Sequence, residues 1–201
     1  MVTVVCISCR KEETKVHCTE WGAGTVFEPL PYLPAYPGST WTYVDTNGVT
    51  SVQRTSENYM PHQFERSTCT TQIAWVPVWN GRYLYGYRTP ITSEYYTHPT
   101  SLSSLLVDAP AGYLWVVQYW QGNYWAREVT ARDTNIVVQG TTYSDVLVIA
   151  ELYGDGTNYN ASSWSFYARD IGLVRVDKRR YTDTGSDTVA VLELVDHYIN
   201  R

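Results

Sequence analysis

Alternation of side-chain character is the feature that most constrains how this chain can fold. Tyr83, Tyr85 and Tyr87 occupy every second position of one segment, and residues 146–152 alternate in the same way. Because successive side chains of an extended strand point to opposite faces, a period of two predicts β-strands. Residues 146–152 are largely apolar on both faces, so this strand is expected to lie at the centre of a sheet.

Turn signals recur between these segments. Asp45-Thr46-Asn47-Gly48 separates one pair of strands and Gln121-Gly122-Asn123 separates another, while residues 154–158 and 182–187 supply later turns. Glycine and asparagine tolerate the positive φ of tight hairpins, so neighbouring strands should run antiparallel. The pattern predicts an all-β fold, an antiparallel meander forming a curved sheet, half-barrel or sandwich. It allows at most one short helix, at residues 101–107.

The amino-acid composition limits the kinds of partner that the chain is expected to bind. Its 201 residues include 18 Tyr and 8 Trp but only 3 Phe, and the formal net charge is −5. Tyr and Trp suit half-buried pleated surfaces because each combines an apolar ring with a polar group. A negative chain without a basic stripe is not predicted to bind nucleic acid, since Lys178, Arg179 and Arg180 form only a short run. No segment has the length and apolar character of a membrane-spanning helix.

The first thirteen residues indicate export. A short apolar run ends at Cys6-Ile7-Ser8-Cys9, and Arg10-Lys11-Glu12-Glu13 follows at once. This order is typical of the end of a secretory signal and its cleavage point. Two alternatives are an ordinary first strand over residues 2–7 and a zinc site, but the zinc site would lack a second paired-cysteine knuckle.

The same residues resemble motifs of bacterial surface lipoproteins. Cys6-Ile7-Ser8-Cys9 resembles a lipobox, which implies that Cys9 becomes the lipid-bearing residue. Arg10-Lys11-Glu12-Glu13 resembles the export tag of surface lipoproteins in the Bacteroidota. The resemblance implies an outer-membrane or cell-surface protein that contacts the membrane only through a lipid anchor, with the periplasmic side as an alternative location.

Three internal motifs extend this resemblance to a group of Bacteroidota lipoproteins of unknown function. They are Tyr36-Pro37-Gly38-Ser39-Thr40-Trp41, the run 138–145, and Tyr167-Ala168 with Gly172-Leu173-Val174. Residues 60–130 match no motif of the group. The group has no assigned activity, and its glycines and aromatic residues are expected to serve the structure of strand ends.

These signals divide the chain into three parts. Residues 1–9 are interpreted as a signal-peptide remnant with the lipobox, residues 10–38 as an extended Pro/Gly-rich leader, and residues 39–201 as a single β-domain. With Cys9 lipidated and Cys6 removed, Cys18 and Cys69 could form a disulfide in an oxidising compartment. Two separate thiols are the alternative, because spacing alone does not establish disulfide geometry.

Catalytic signatures are weak in this sequence. None of the four histidines belongs to a metal-binding or catalytic spacing, and no cofactor or metal is predicted. Acids that could serve a glycoside hydrolase are available, but nothing in the sequence selects two of them: Glu94, Asp108, Glu128, Glu151 and Glu193.

Aromatic density is the remaining functional signal. Rings displayed on a rigid sheet could stack on a glycan or anchor an envelope protein, and six residues are candidates for such a surface: Trp79, Tyr83, Tyr85, Tyr87, Trp120 and Trp125. The alternative is that these rings are core and cross-strand pairs. The sequence thus predicts a non-enzymatic envelope lipoprotein that acts as a binding or assembly module. The other hypotheses are an envelope glycan hydrolase with paired carboxylates and a lipid or apolar-ligand carrier with a half-barrel cavity.

Overall fold

A computed structural model of the chain describes the backbone over six ranges: 25–66, 69–79, 82–88, 93–97, 103–106 and 108–201. Side chains are described for residues 26–61, 75–79, 105–106, 108–119 and 121–201. The signal remnant, the proposed lipid site Cys9 and the leader up to residue 24 lie outside these ranges.

The described residues form fifteen strands and no helix. In chain order they are β1 Thr25–Val26, β2 Thr40–Asp45, β3 Thr50–Arg54, β4 Met60–Arg66, β5 Cys69–Val76, β6 Val78–Trp79, β7 Arg82–Arg88, β8 Ser93–Thr97, β9 Ser103–Leu106, β10 Leu114–Trp120, β11 Asn123–Val138, β12 Thr141–Gly154, β13 Tyr159–Ala168, β14 Gly172–Thr182 and β15 Gly185–Tyr198. None of the described segments therefore has the form of a bilayer-spanning helix.

Eight strands make one large sheet in the order β10-β11-β12-β13-β14-β15-β2-β3. All its pairs are antiparallel, and the sheet is not closed into a barrel. The other strands form a sheet β1-β5-β4 and a sheet β6-β7-β8-β9. The predicted all-β antiparallel fold is confirmed.

Short turns set the register of the large sheet. Gln121 and Gly122 have φ values of 49° and 81°, and Gln139 and Gly140 have values of 48° and 79°. Two successive positive φ values belong to the two-residue hairpin turns whose twist matches that of the strands they join. The turn after β2 is stabilised differently, because Asp45 Oδ1 accepts hydrogen bonds of 2.8 Å from the backbone N–H groups of Asn47 and Val49.

The first and last strands of the large sheet, in chain order, pair with each other. β15, the last strand, pairs with β2, the first strand of the large sheet, and places Leu194 opposite Tyr43. Tyr43 and Leu194 are each no more than 1% exposed. This pairing brings the beginning and the end of the described β-domain side by side.

The core includes consecutive residues of β12, 146–149, on both faces of the large sheet, and it also includes part of the predicted leader. Tyr32, Leu33 and Ala35 are buried there with Trp41 and Leu147. Tyr32 donates a 2.6 Å hydrogen bond from its hydroxyl to Asp145 Oδ1. The side chain of Arg169 also pairs with Asp145 and places its guanidinium carbon 5.1 Å from the centre of the Tyr32 ring. We call Tyr32, Asp145 and Arg169 the leader clamp, because they hold residues 31–35 on the sheet.

Two aromatic residues of β2 form hydrogen bonds with backbone carbonyl groups at the turn between β13 and β14. Trp41 donates from Nε1 to the carbonyl oxygen of Ile171 at 2.6 Å, and the Tyr43 hydroxyl donates to that of Leu173 at 3.0 Å. Gly172, between these acceptors, has a φ of +99°. The internal motifs around residues 36–41, 138–145 and 167–174 therefore meet in one structural cluster.

One prediction was wrong. Residues 103–106 of the predicted helix form β9, which pairs with β8 and buries Leu105 and Leu106. A short apolar run fits a strand or a helix equally well, and cross-strand pairing decided between them.

Candidate binding surface

Along one face of the long strands β11 and β12, the side chains change from buried to exposed. Val129 and Ile149 are paired and buried, and two residues further along Arg127 pairs with Glu151. Side chains at alternate positions of a strand share a face, so the next pair on this face is Trp125 and Tyr153. The face thus passes from apolar core, through an ion pair, to exposed aromatic rings.

The ion pair occupies the boundary between core and solvent. Arg127 Nη2 lies 2.9 Å from Glu151 Oε1, and the two side chains are 20% and 27% exposed. Ser163, which is buried on β13, donates from Oγ to the other oxygen, Glu151 Oε2, at 3.2 Å. The carboxylate is therefore held at both oxygens, which restricts its orientation.

Tyr167 lies behind this ion pair on the same face. Burial raises the pKa of its hydroxyl, and the charge of Glu151 raises it further. Arg127 and a hydrogen bond with Ser165 act in the opposite direction on that pKa. Tyr167 is thus a neutral phenol at physiological pH, and the exposed charges of this part of the face are those of Arg127 and Glu151.

Four exposed side chains form a row across the ends of β10, β11, β12 and β13. Paired positions place Gln118 opposite Trp125, Trp125 opposite Tyr153, and Tyr153 opposite Asn160. Trp125 is 44% exposed and Tyr153 is 56% exposed. We call these four residues the aromatic row. With strands about 4.8 Å apart, the row extends roughly 14 Å, and two rings stand between two amide side chains.

The opposite face supports the hairpin that carries half of the row. Tyr124 packs beside Tyr119 with ring centres 4.8 Å apart. A Cβ on Gly156, in the turn between β12 and β13, would lie 2.7 Å from Tyr124 Cε2, so the ring contacts the turn at a glycine. The turn is closed by Asp155, whose Oδ1 accepts hydrogen bonds from the backbone N–H groups of Thr157 and Asn158 at 2.8 and 2.7 Å.

The predicted aromatic surface is placed only in part. Trp125 lies in the exposed row, whereas Trp79 is half-buried, packs against the core and stacks on Trp41 with ring centres 5.3 Å apart. The side chains of Tyr83, Tyr85, Tyr87 and Trp120 lie outside the described ranges, as do those of Cys18 and Cys69. The disulfide between these cysteines stays a prediction.

Sequence reasoning did not select three members of the row: Gln118, Tyr153 and Asn160. Their alternation is visible in the sequence, but their neighbours depend on β-bulges. Counting back from the pair Val138 and Thr141 without bulges would place Gly154 opposite Trp125. Bulges in both strands, with one more inserted residue in β11 than in β12, place Tyr153 there instead. These four side chains lie side by side only in this register, and the exact positions of the turns and bulges set the register.

Two of the candidate acids are engaged by cations or amides. Glu151 belongs to the pair with Arg127, and Glu193 accepts a 2.5 Å hydrogen bond from Gln139 Nε2 while lying 3.8 Å from Arg175 Nη1. Glu151 and Glu193 lie on opposite faces, since Glu193 shares its face with Arg175 and Phe166. These two carboxylates therefore do not face each other across a cleft.

Comparison with known proteins found little. No family model matches the chain, and no curated protein matches it. Among solved structures, a crystal structure of a candidate lipoprotein from Parabacteroides distasonis is similar over 84% of this chain and 99% of that chain, with 10% sequence identity and a TM-score of 0.35. A likeness at this level assigns no function to the chain.

Proposed function

We propose that this chain is a non-enzymatic, lipid-anchored module of the cell envelope that binds a glycan on its aromatic row. The observation that carries the proposal is the row itself, in which the exposed rings of Trp125 and Tyr153 occupy paired positions between Gln118 and Asn160. The anchor and the compartment rest on the resemblance of residues 6–13 to lipoprotein export signals.

The chemistry of the row suits a sugar chain. A sugar ring has an apolar C–H face that packs on an aromatic ring and a rim of hydroxyl groups that require hydrogen-bond partners. Amide side chains both donate and accept, so Gln118 and Asn160 can bind hydroxyls in either sense. Arg127 and Glu151 lie one position inward on the same face and offer additional charged partners.

Rigidity supports binding. Trp125 and Tyr153 stand on β11 and β12, each of which is hydrogen-bonded to a strand on both sides, so little backbone freedom is lost when a ligand binds. Aromatic side chains have few rotatable bonds and frequently dominate binding energies. Rings held in a fixed register on a sheet are suited to binding a ligand, because few of their motions have to be restricted.

The experiment is a binding measurement with defined oligosaccharides. The intact domain is titrated with hexasaccharides of the cello, xylo and chito series, followed by tryptophan fluorescence and calorimetry. We expect at least one series to bind, and Trp125→Ala or Tyr153→Ala to weaken that binding about tenfold.

Tyr181→Ala is the matched control, because Tyr181 is 75% exposed on β14 and lies outside the row. It should bind as the unaltered protein does. Binding that survives both row substitutions, or the absence of binding to all three series, would contradict the proposal.

A further inference from the structure

A concave site lies near the β2–β15 end of the large sheet, away from the aromatic row. It is an open groove of about 370 Å³ formed where the leader, the loop after β3 and the residues after β15 meet. Its lining includes two glutamates, two tyrosines, one amide and one cation: Glu28, Glu57, Tyr36, Tyr59, Asn200 and Arg201. We call it the terminal groove. Its volume falls at the small end of the range of ligand pockets, about 300–1,000 Å³.

Hydrogen bonds join the three walls of the groove. Asn200 donates from Nδ2 to the carbonyl oxygen of Pro37 at 2.8 Å and from its backbone N to Ser39 Oγ at 3.0 Å. Gly38 donates from its N–H to the carbonyl oxygen of Ser56 at 2.7 Å, and Thr55 Oγ1 donates to that of Tyr36 at 2.6 Å. The walls are therefore preformed rather than assembled around a ligand.

Gly38 follows Pro37, which lines the groove, and allows Glu57 and Asn200 to approach the same point of the backbone. A Cβ at this position would lie 3.1 Å from Asn200 Nδ2 and 3.5 Å from Glu57 Oε2. The Glu57 carboxylate and the Asn200 amide therefore meet beside the wall that Pro37 forms.

The charges of the groove are unbalanced. Among the described residues, neither Glu28 nor Glu57 forms an ion pair. Arg201, which also lines the groove, is paired with Asp170, with Nη2 and Oδ1 3.1 Å apart, so its charge is already balanced. Tyr59 is affected by this environment, because burial and then the charge of Glu28 raise its pKa to about 12. Two carboxylates beside two tyrosine rings thus make a negative, aromatic concavity.

We propose that the terminal groove binds a primary alkylammonium group, with Glu28 and Glu57 neutralising its charge and Tyr36 and Tyr59 packing on its apolar stem. Carboxylates form charge-assisted hydrogen bonds with ammonium groups, and the faces of tyrosine rings attract cations. Such a group is carried by a free polyamine or by a lysine side chain of a partner peptide.

Two probes distinguish these sources. The protein is titrated with cadaverine, a free diamine, and with N-acetyl-lysine amide, a lysine side chain in a peptide setting. N-acetyl-norleucine amide is the uncharged control of similar shape. We expect one or both amines to bind, the norleucine compound not to bind, and the affinity to fall as salt is added.

Substitutions then locate the site. Glu57→Gln and Glu28→Gln should each weaken amine binding about tenfold, because each removes one charged acceptor. Asp183→Asn is the matched control, since it removes one acidic charge in the turn at the far end of β15. It should leave binding unchanged.

Three outcomes would overturn the proposal. They are the absence of binding to both amines, equal binding of the uncharged compound, and unchanged amine affinity in the Glu28→Gln, Glu57→Gln double variant. The circular dichroism spectrum of each variant shows whether the fold is retained. Because both glutamates are exposed, we expect it to be. Oligosaccharide binding on the aromatic row should be unaffected, so the two proposals can fail separately.

Discussion

Gly172 lies where the leader, the first strand of the large sheet and the β13–β14 turn come together. Its φ is +99°, and a Cβ there would lie 3.4 Å from Trp41 Nε1 and 3.5 Å from Pro34 Cδ. Trp41 is buried and hydrogen-bonded to Ile171, and Pro34 is buried, so Gly172 packs against a fixed part of the core. The motif that contains Gly172 therefore has a structural explanation.

Gly172→Ala and Gly48→Ala are each expected to lower the free energy of unfolding by about 1–3 kcal/mol, because a residue with a Cβ is strained at a positive φ. Gly48 has a φ of +76°, and nothing lies within 4 Å of a Cβ built there, whereas a Cβ at Gly172 would make ordinary van der Waals contacts. Both variants therefore measure backbone strain, and urea denaturation gives both values. An unchanged free energy of unfolding in Gly172→Ala would show that its positive φ does not require glycine.

At the scale of elements, the leader clamp shows how a loop without regular structure joins a sheet. Asp145, with a φ of +51°, receives the Tyr32 hydroxyl, and the backbone N–H of Asp170 donates to the carbonyl oxygen of Pro31 at 2.7 Å. A proline-rich segment cannot pair along its length as a strand does, because proline lacks a donor. Side-chain and single backbone contacts hold it instead.

The leader clamp should make the free energy of unfolding fall as the pH becomes strongly alkaline. Burial, and then the hydrogen bond to Asp145, raise the pKa of Tyr32 from its ordinary value of 10.0 to about 12. A raised pKa in the folded state means that the stabilisation is complete below pH 10 and is lost as pH rises through about 12. The same hydrogen bond is the first cause that lowers the pKa of Asp145, so on the acid side the stabilisation is lost only below the ordinary carboxyl range.

We therefore expect Tyr32→Phe to destabilise the protein by about 1 kcal/mol at pH 8 and by less at pH 12. Guanidinium denaturation at the two pH values gives the difference. Tyr181→Phe, at an exposed position, serves as the control and should have no effect at either pH. A Tyr32→Phe difference that does not change with pH would mean that the hydroxyl bond does not stabilise the folded state.

The hairpins and their turns were largely predictable from the sequence, whereas the lengths of the strands were not. The hairpins at Asp45–Gly48 and Gln121–Gly122 join the strands that their turn residues indicated. β11, in contrast, runs through sixteen residues to Val138, because bulges and a positive φ at Asp133 let the strand bend and continue. Turn chemistry is local, whereas strand length and register depend on the partner strand.

At the scale of the whole molecule, the predicted tether and the proposed binding sites belong to different parts of the chain. The resemblance of residues 6–13 to lipoprotein export signals predicts a lipid anchor, while both proposed binding sites lie on the folded domain.

The tether can be tested on the full chain expressed in a Bacteroidota host. Cys9→Ser should move the protein from the membrane fraction to the soluble fraction, because a lipid anchor requires the cysteine thiol. Cys69→Ser is the control and should remain with the membrane. If Cys9→Ser is still found with the membrane, Cys9 is not the site of the anchor.

Alternation and turn chemistry act over a few residues, so the amino-acid sequence was enough to predict an all-β protein with neighbouring strands in antiparallel hairpins. The pairing of β15 with β2, the burial of Tyr32, and the packing of Trp79 on Trp41 while Trp125 is exposed beside Tyr153 became visible only in the folded structure. These outcomes depend on contacts between residues far apart in the chain, and such contacts form according to register, bulges and the space left in the core. Both proposed sites belong to this second class, since each gathers side chains from separate strands or segments.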